Sequence, residues 1–272
     1  MSHEIVVTVK AGVSRTTMGC HDGSGRITGL FVRKTPRSKL NMVDDTEWKN
    51  FFSIPQKWGS RSSIVLISVI PQLTEWLKEM FSGSSRVTLF CPSGKELGLK
   101  IEYFPENSLG IDRIAACRGT LIRYPDLSSR SFVVADFGSH TVLTLCRKGT
   151  VIGGSIASGV PLMLQSIGGG VVLEKYSMNS LNLPRRAVGR STSESIATGT
   201  ILGAVRGVEG LFQDMCRELG DELELILTGG LSRLFRPFFR IPVRCDRQLI
   251  HYGAWAVGIS GPSERERGIL KV

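Results

Sequence analysis

Hydrophobic and β-branched residues dominate Ile5-Val6-Val7-Thr8-Val9, which predicts a buried strand. Gly12 breaks that pattern, and Thr16 to Cys20 predicts a second strand. His21-Asp22-Gly23-Ser24-Gly25 is turn chemistry, and Ile27 to Val32 predicts a third strand that completes a meander. Thr46 to Phe52 reads as a helix, followed by a Gly/Ser/Arg loop around Gly59. Ile64 to Ile70 is another buried strand. Pro71 then opens a helix from Gln72 to Phe81, with Leu73, Trp76, Leu77 and Met80 at helical spacing. Val87 to Phe90 predicts a strand, and Ala115 and Ala116 lie in a predicted helix. Ser131 to Ala135 is a strand running into Asp136-Phe137-Gly138. Strands Thr141 to Cys146 and Val151 to Ile156 follow around the turn Arg147-Lys148-Gly149-Thr150. From Gly159 the pattern is helical, broken at Asn182-Leu183-Pro184 and resumed from Ser193 to Cys216. Leu223 to Leu227 predicts a strand ending on Thr228-Gly229-Gly230. Leu249 to Ile259 is the last helix, and Ser263 to Arg267 a charged, frayed tail.

The two glycine-turn segments resemble each other at an offset of 126 (138 − 12): Val7 matches Val133, Gly12 matches Gly138, Cys20 matches Cys146 and Gly23 matches Gly149. Each is a strand, a small-residue turn, a second strand, a polar turn and a third strand. Such a layout points to a duplicated domain whose halves each offer one tight turn to a shared ligand. The alternative is two unrelated meanders.

Composition narrows the class. The 272 residues, 42% of them hydrophobic, suffice for one large or two modest cores. The longest apolar run, Ile64 to Ile70, is far too short to span a bilayer and ends at Pro71. Met1-Ser2-His3-Glu4 has no basic region leading into an apolar stretch, so a cytoplasmic protein without a signal peptide is expected. The six cysteines form no C-x-x-C pair and suit free thiols in a reducing compartment. The net charge of +10 is scattered, with dense stretches at Arg33 to Lys39, Arg185-Arg186 and Arg233 to Arg244. No aromatic platform is interleaved with them, so the expectation is a solvated basic surface rather than a nucleic-acid interface.

Three stretches carry candidate chemistry. Asp136-Phe137-Gly138-Ser139-His140-Thr141 leaves a buried strand. A carboxylate there can bind a cation, Gly138 allows close backbone approach, and successive N–H groups can cradle a phosphate. Taken alone, the pattern also fits a hairpin with an Asx turn. In Ser108-Leu109-Gly110-Ile111-Asp112-Arg113, Asp112 can serve as a general base and Arg113 can bind a carboxylate or phosphate bidentately. The same residues also fit a helix N-terminus, where an aspartate is favourable. Thr228-Gly229-Gly230 is a third possible nucleotide turn, or a plain strand-to-helix turn.

In combination these pieces resemble the type III pantothenate kinases. The stretches that carry the resemblance are Ser68-Val69-Ile70-Pro71, Tyr103, Leu109-Gly110-Ile111-Asp112-Arg113 and Val133 to Ser139. Gly153-Gly154-Ser155-Ile156 with Gly159, Leu183-Pro184, Ser191-Thr192 with Gly199, and Thr228-Gly229-Gly230 follow in the family's order. The resemblance covers nearly the whole chain. It implies an α/β actin-like ATPase fold of the actin, hexokinase and Hsp70 superfamily, with duplicated ribonuclease H-like domains around a central cleft. Residues 1–125 would form the N-terminal lobe and 126–272 the C-terminal, dimerising lobe. It implies a homodimer that phosphorylates pantothenate with Mg-ATP, the first step of coenzyme A synthesis. Asp112 would be the catalytic base, and Tyr103, Gly110, Ile111, Arg113 and Thr192 would bind pantothenate with it. Lys10, Gly12, Ser14, Gly138 and Ser139 would border the nucleotide, and Asp136 would hold a monovalent cation, potassium or ammonium.

One motif departs from the family. Its first strand ends in D-x-G-N-T, whereas this chain reads Lys10-Ala11-Gly12-Val13-Ser14. Carboxylate to ammonium changes the local charge by two units and removes an oxygen ligand for Mg²⁺. Reduced or absent kinase activity is the expectation, with direct phosphate binding by Lys10 the alternative. Pro105-Glu106 and Ser158 are smaller departures.

Overall fold

The computed structural model describes residues 5–35, 46–53, 62–85, 87–168, 177–178 and 182–259. The loop around Gly59 and the charged tail lie outside them. Two compact units divide the chain: the first runs to Pro125 and takes back the last helix from Leu249, and the second runs from Asp126 to Gln248. The first holds β1 (Ile5–Ala11), β2 (Arg15–His21), β3 (Ile27–Lys34), α1 (Thr46–Ser53), β4 (Ser62–Ser68), α2 (Pro71–Phe81), β5 (Val87–Phe90), β6 (Lys100–Ile101) and α3 (Ile111–Arg123). The second holds β7 (Ser131–Phe137), β8 (His140–Arg147), β9 (Thr150–Ser158), α4 (Val160–Gly168), α5 (Thr192–Ala197), α6 (Gly203–Leu219), β10 (Leu223–Thr228), α7 (Ser232–Phe235) and β11 (Arg244–Cys245). Helix α8 (Leu249–Ile259) closes the first unit.

The first unit's main sheet has the order β3-β2-β1-β4-β5, with β1 antiparallel to β2 and parallel to β4. Alternation along β1 and β2 sends Val7, Val9, Ala11, Met18 and Cys20 to one face. There they pack on Trp48, Phe51 and Phe52 of α1 and on Leu73 and Leu77 of α2. Strand β4 stops at Ser68, short of the expected Ile70, because the Ser68 hydroxyl takes the Ile70 N–H at 3.1 Å and Pro71 starts a helix.

The opposite face is covered by α8, and glycines set how closely. A Cβ on Gly258 would come within 2.7 Å of Val6 Cγ1 and 3.0 Å of Val65 Cγ2. Between α3 and α8 the backbones meet directly. A Cβ on Gly119 would sit 1.8 Å from the Leu249 carbonyl oxygen, and one on Gly253 would sit 2.0 Å from that of Ala115. The Arg123 guanidinium of α3 also lies 4.6 Å over the Tyr252 ring of α8. The expected division gave the final helix to the second lobe; its packing joins it to the first unit instead.

The second unit's sheet runs β11-β10-β7-β8-β9, and Val133, Ala135, Leu143, Leu225 and Leu227 pack on α4 and α6. Its β7-β8-β9 meander repeats β1-β2-β3 in register. Val7 faces Cys20 and Val133 faces Leu145, while Cys20 faces Gly29 and Leu145 faces Gly153. Both meanders carry an irregularity at the matching place, between Cys20 and His21 and between Leu145 and Cys146. The offset therefore slips from 126 in the first strand (133 − 7) to 125 in the second (145 − 20) and 124 in the third (153 − 29). Two of the matches expected at a constant 126 are corrected by this slip. Cys20 corresponds to Leu145, not Cys146. The counterpart of Gly149, φ 83°, is Gly25, φ 84°, not Gly23.

The backbone contact between α3 and α8 should tolerate no side chain. Gly253→Ala is expected to destabilise the protein by about 3 kcal/mol through overpacking against a carbonyl. Gly210→Ala in α6, where an added methyl meets nothing within 4 Å, should leave stability unchanged or slightly raised. Urea denaturation of the two variants checks both.

Candidate active site

The slip between strands defines the turn at Gly12. The Gly12 N–H donates to the Arg15 carbonyl at 3.1 Å, whereas the Gly138 N–H donates to the His140 carbonyl at 3.0 Å. The first turn is thus one residue longer, with Val13 the extra, exposed residue. On either side the match is close. Ser14 corresponds to Ser139, since each carbonyl accepts a backbone N–H from the end of the third strand, from Thr35 at 3.1 Å and from Gly159 at 2.9 Å. On the first strand, Lys10 occupies the position that Asp136 has in the second unit (136 − 10 = 126). Its stem reaches back along the turn, with Cε 3.8 Å from where a Cβ on Gly12 would be.

Hydroxyls brace the first loop from below. The Thr35 Oγ1–H donates to the Gly12 carbonyl at 2.6 Å, so the Thr16 hydroxyl must donate to Thr35 across 3.1 Å. In the second unit the counterpart of Thr35 is Gly159, where an added Cβ would fall 2.4 Å from the Gly138 carbonyl oxygen and 2.5 Å from that of Ser139. The buried Thr141 hydroxyl, counterpart of Thr16, is left without a hydrogen-bond partner as a result.

Behind Lys10 lies a buried polar chain that sequence reading did not single out. Thr17 Oγ1 is 2.9 Å from His251 Nε2, and His251 Nδ1 is 2.8 Å from Thr8 Oγ1. Thr8 Oγ1 is 2.9 Å from His21 Nε2, and His21 Nδ1 is 3.0 Å from the Gly25 carbonyl oxygen. A carbonyl only accepts, so His21 Nδ1 carries a proton. Neutral His21 then accepts from the Thr8 hydroxyl, His251 Nδ1–H donates to Thr8, and Thr17 donates to His251 Nε2. The Thr8 hydroxyl has a second acceptor in the Gly19 carbonyl at 3.3 Å; with its proton on the shorter bond to His21, the four bonds run in one direction, from Thr17 to Gly25. Gly19 makes the room, since a Cβ there would lie 3.0 Å from Thr8 Oγ1 and 3.2 Å from His251 Nδ1. Burial, then His21 and Lys10, push the His251 pKa down to about 3, and burial also lowers that of His21 against the pull of Gly25 and Asp22. Both rings are thus neutral near pH 7. The sequence signal was a lone threonine and a lone histidine within the apolar runs Ile5 to Val9 and Leu249 to Ile259.

The acceptor-side candidates gather at the start of α3. Gly110 precedes the helix, and a Cβ there would lie 2.7 Å from Asp112 Oδ1, so glycine lets the carboxylate fold back. Asp112 Oδ1 accepts the Arg113 backbone N–H at 2.9 Å, in the first helical turn where the dipole favours an anion. Ile111 opens the helix. The buried Arg113 guanidinium stands 5.5 Å over the Tyr103 ring, so Tyr103, Gly110, Asp112 and Arg113 come together. In the second unit, Asp136, Gly138 and Ser139 form the β7–β8 turn. The third glycine motif meets them: Gly229, φ 90°, lies so close that a Cβ would fall 2.0 Å from Asp136 Oδ1 and 2.7 Å from the Phe137 carbonyl oxygen. Thr192 is exposed at the start of α5, after the capping residue Ser191.

The two loops differ in the ions they suit. Asp136 and the partnerless hydroxyl of nearby Thr141 supply oxygens of the kind a monovalent cation takes. Lys10 and Val13 offer a divalent ion nothing, and no group of three His, Cys, Asp or Glu among the described residues could hold a metal. Nor is any helix among the described residues long and apolar enough to cross a membrane.

Duplicated meanders with matching glycine turns define the fold as that of the actin-like ATPases. Solved structures agree. A ROK family glucokinase from Streptomyces griseus superposes with a TM-score of 0.54 at 12% identity, covering 94% of this chain and 100% of that one. The ethanolamine utilization protein EutJ from Carboxydothermus hydrogenoformans superposes with 0.56 at 12% identity, covering 93% and 90%. The type III pantothenate kinase family model matches residues 6–214. A type III pantothenate kinase from Thermomicrobium roseum is 32% identical over 239 residues, 84% of this chain and 90% of the relative. One from Anaeromyxobacter sp. (strain K) is 25% identical over 254 residues, covering 90% and 95%. The chain belongs to the type III pantothenate kinase family.

The buried histidines make stability pH-dependent. The His251 pKa lies below its ordinary 6.5, so the unfolded chain binds the extra proton. Stability is then full above about pH 6.5 and falls by up to about 1.4 kcal/mol per unit as pH drops below it. Denaturation at pH 7 and pH 5.5 should show the fall, and His251→Asn should flatten it. Nitrogen-15 histidine spectra should find both rings as the Nδ1–H tautomer.

Proposed function

We propose that this chain binds ATP and pantothenate and carries out the reaction of its family, phosphorylation of pantothenate to 4'-phosphopantothenate, at a rate held down by Lys10. The observation that supports this reading is the gathering of Tyr103, Gly110, Asp112 and Arg113 at the start of α3, in a unit whose first loop carries lysine in place of aspartate. Asp112 takes the proton of the pantothenate hydroxyl as its oxygen attacks the γ-phosphorus and ADP departs. Arg113, its guanidinium 5.5 Å over the Tyr103 ring, binds the pantothenate carboxylate, and Gly110, Ile111 and Thr192 complete the acceptor contacts. Gly138 and Ser139 contact the ATP phosphates, with Lys10, Gly12 and Ser14 bordering them. Asp136 holds potassium or ammonium. The protein works in the cytoplasm as a homodimer formed through its second unit.

Lys10 acts against a metal-assisted transfer. Two unit charges about 4 Å apart at an effective dielectric near 20 interact by about 4 kcal/mol, so an ammonium beside Mg²⁺ is strongly unfavourable. Lys10 and Val13 also favour a second reading, a non-catalytic, kinase-like dimer that binds a small ligand or a partner.

A coupled assay with ATP, potassium and pantothenate separates the two. Under the first reading the wild type turns over slowly but above an Asp112→Asn control, and Lys10→Asp with Val13→Asn raises the rate about tenfold or more, at least 1.4 kcal/mol of barrier. A wild type no faster than Asp112→Asn leaves the second reading.

A further inference from the structure

The two units supply an internal comparison for the first loop. Gly12 and Ser14 keep backbone bonds that correspond to those of Gly138 and Ser139, around one extra residue, Val13, while the residue at the end of the first strand changes sign. A loop merely decaying would lose its shape or its surroundings along with its charge. Here the surroundings suit the new charge. Thr17 stands directly opposite Lys10 in the β1–β2 ladder, and hence on the same face of the sheet. Its proton is committed to His251 Nε2, which leaves only oxygen lone pairs for its other neighbours. The four-bond chain therefore has its acceptor end at Thr17, on the sheet face that carries Lys10, and its donor end at the Gly25 carbonyl. The influence of Lys10 reaches His251 through the field as well. An aspartate at position 10 would face those lone pairs instead.

We propose that the first loop takes the phosphate group of its ligand without a divalent ion, with the Lys10 ammonium as counter-charge and the chain from Thr17 through His251 as the device that positions it. The inference rests on the reading of Gly12 to Ser14 as a phosphate loop. The ligand chemistry is a phosphate or diphosphate anion, carried by a nucleotide or free in solution. A lysine brings three donors and one positive charge to a phosphate oxygen, and it needs no octahedral set of oxygens to do so. His251 and Thr17 touch no ligand. They act through Lys10, and being neutral they add no charge of their own beside it.

The test is calorimetric titration of the full chain with ADP, and separately with inorganic phosphate, in EDTA and in magnesium. The wild type should bind ADP with affinities that agree within about twofold in the two buffers. Lys10→Arg should keep that behaviour, because the charge and donors remain. Lys10→Ala should weaken binding in EDTA about tenfold, and Lys10→Asp should make it magnesium-dependent. Thr17→Val should weaken ADP binding a few-fold and Thr17→Ser should restore it, with both melting temperatures recorded so that a loss of fold is recognised. Weakening by Lys10→Ala with inorganic phosphate as well as ADP would identify free phosphate as a sufficient ligand, and weakening with ADP alone would identify the nucleotide. ADP binding that requires magnesium in the wild type overturns the proposal, as does Lys10→Ala binding ADP in EDTA as tightly as the wild type. Absence of binding to both ligands overturns it together with the phosphate-loop reading. Metal-free binding without pantothenate turnover would leave this inference standing while the kinase reading fell. Turnover with magnesium-dependent binding would do the reverse.

Discussion

Direct backbone contact between α3 and α8 is the constraint on which the first unit depends. Gly119 and Gly253 allow each helix to approach a carbonyl of the other where any side chain would collide. Three consequences follow from that one contact. The last helix of the chain is fixed against the first unit although 123 residues of the second separate them (248 − 125). The helix carrying Asp112 and Arg113 acquires a rigid backing. His251 is set beneath the β1–β2 hairpin, where it meets Thr8 and Thr17. The start of α3 and the turn at Gly12 are thus braced by opposite sides of the same short helix.

That arrangement explains how buried polar groups are tolerated in an apolar setting. Two imidazoles and two hydroxyls would each be costly to bury unpaired, yet every proton in the chain from Thr17 to Gly25 has an acceptor. The solution demands neutrality. A proton on His251 would sit among His21 and Lys10 with no anion close by to offset it, which is why its pKa is driven so low. Trp255 stacked 6.2 Å from His21 and Tyr252 edge-on at 6.1 Å seal the far end of the chain from water.

Duplication with inverted charge makes the two units unlike. Both meanders follow the same strand order, but the first turn is one residue longer, and one carries Asp136 where the other carries Lys10. A carboxylate is of use to a phosphate only through a cation, whereas an ammonium binds it directly. Each loop has a further difference that matches. The hydroxyl ladder from Thr16 through Thr35 ties down the Gly12 carbonyl, while Gly159 and Gly229 clear space around Asp136 and the carbonyls of the second turn.

Much of this was legible in the chain itself. Runs of hydrophobic and β-branched residues and glycine punctuation located the strands of both meanders, because such side chains pack well on a buried pleated surface. The ordered motifs from Ser68 to Gly230 marked the family, and Lys10 announced its own anomaly. Ladder register corrected what string matching could not resolve. One extra residue in each hairpin of the first unit shifts every later correspondence by one, so Gly25 rather than Gly23 matches Gly149. The destination of α8 was also invisible, since an apolar helix shows that it is buried but not against what. Only the tertiary structure placed His251 behind Lys10, 241 residues away (251 − 10), because proton order and close approach are properties of distances, and distances between remote residues are written nowhere in a linear pattern.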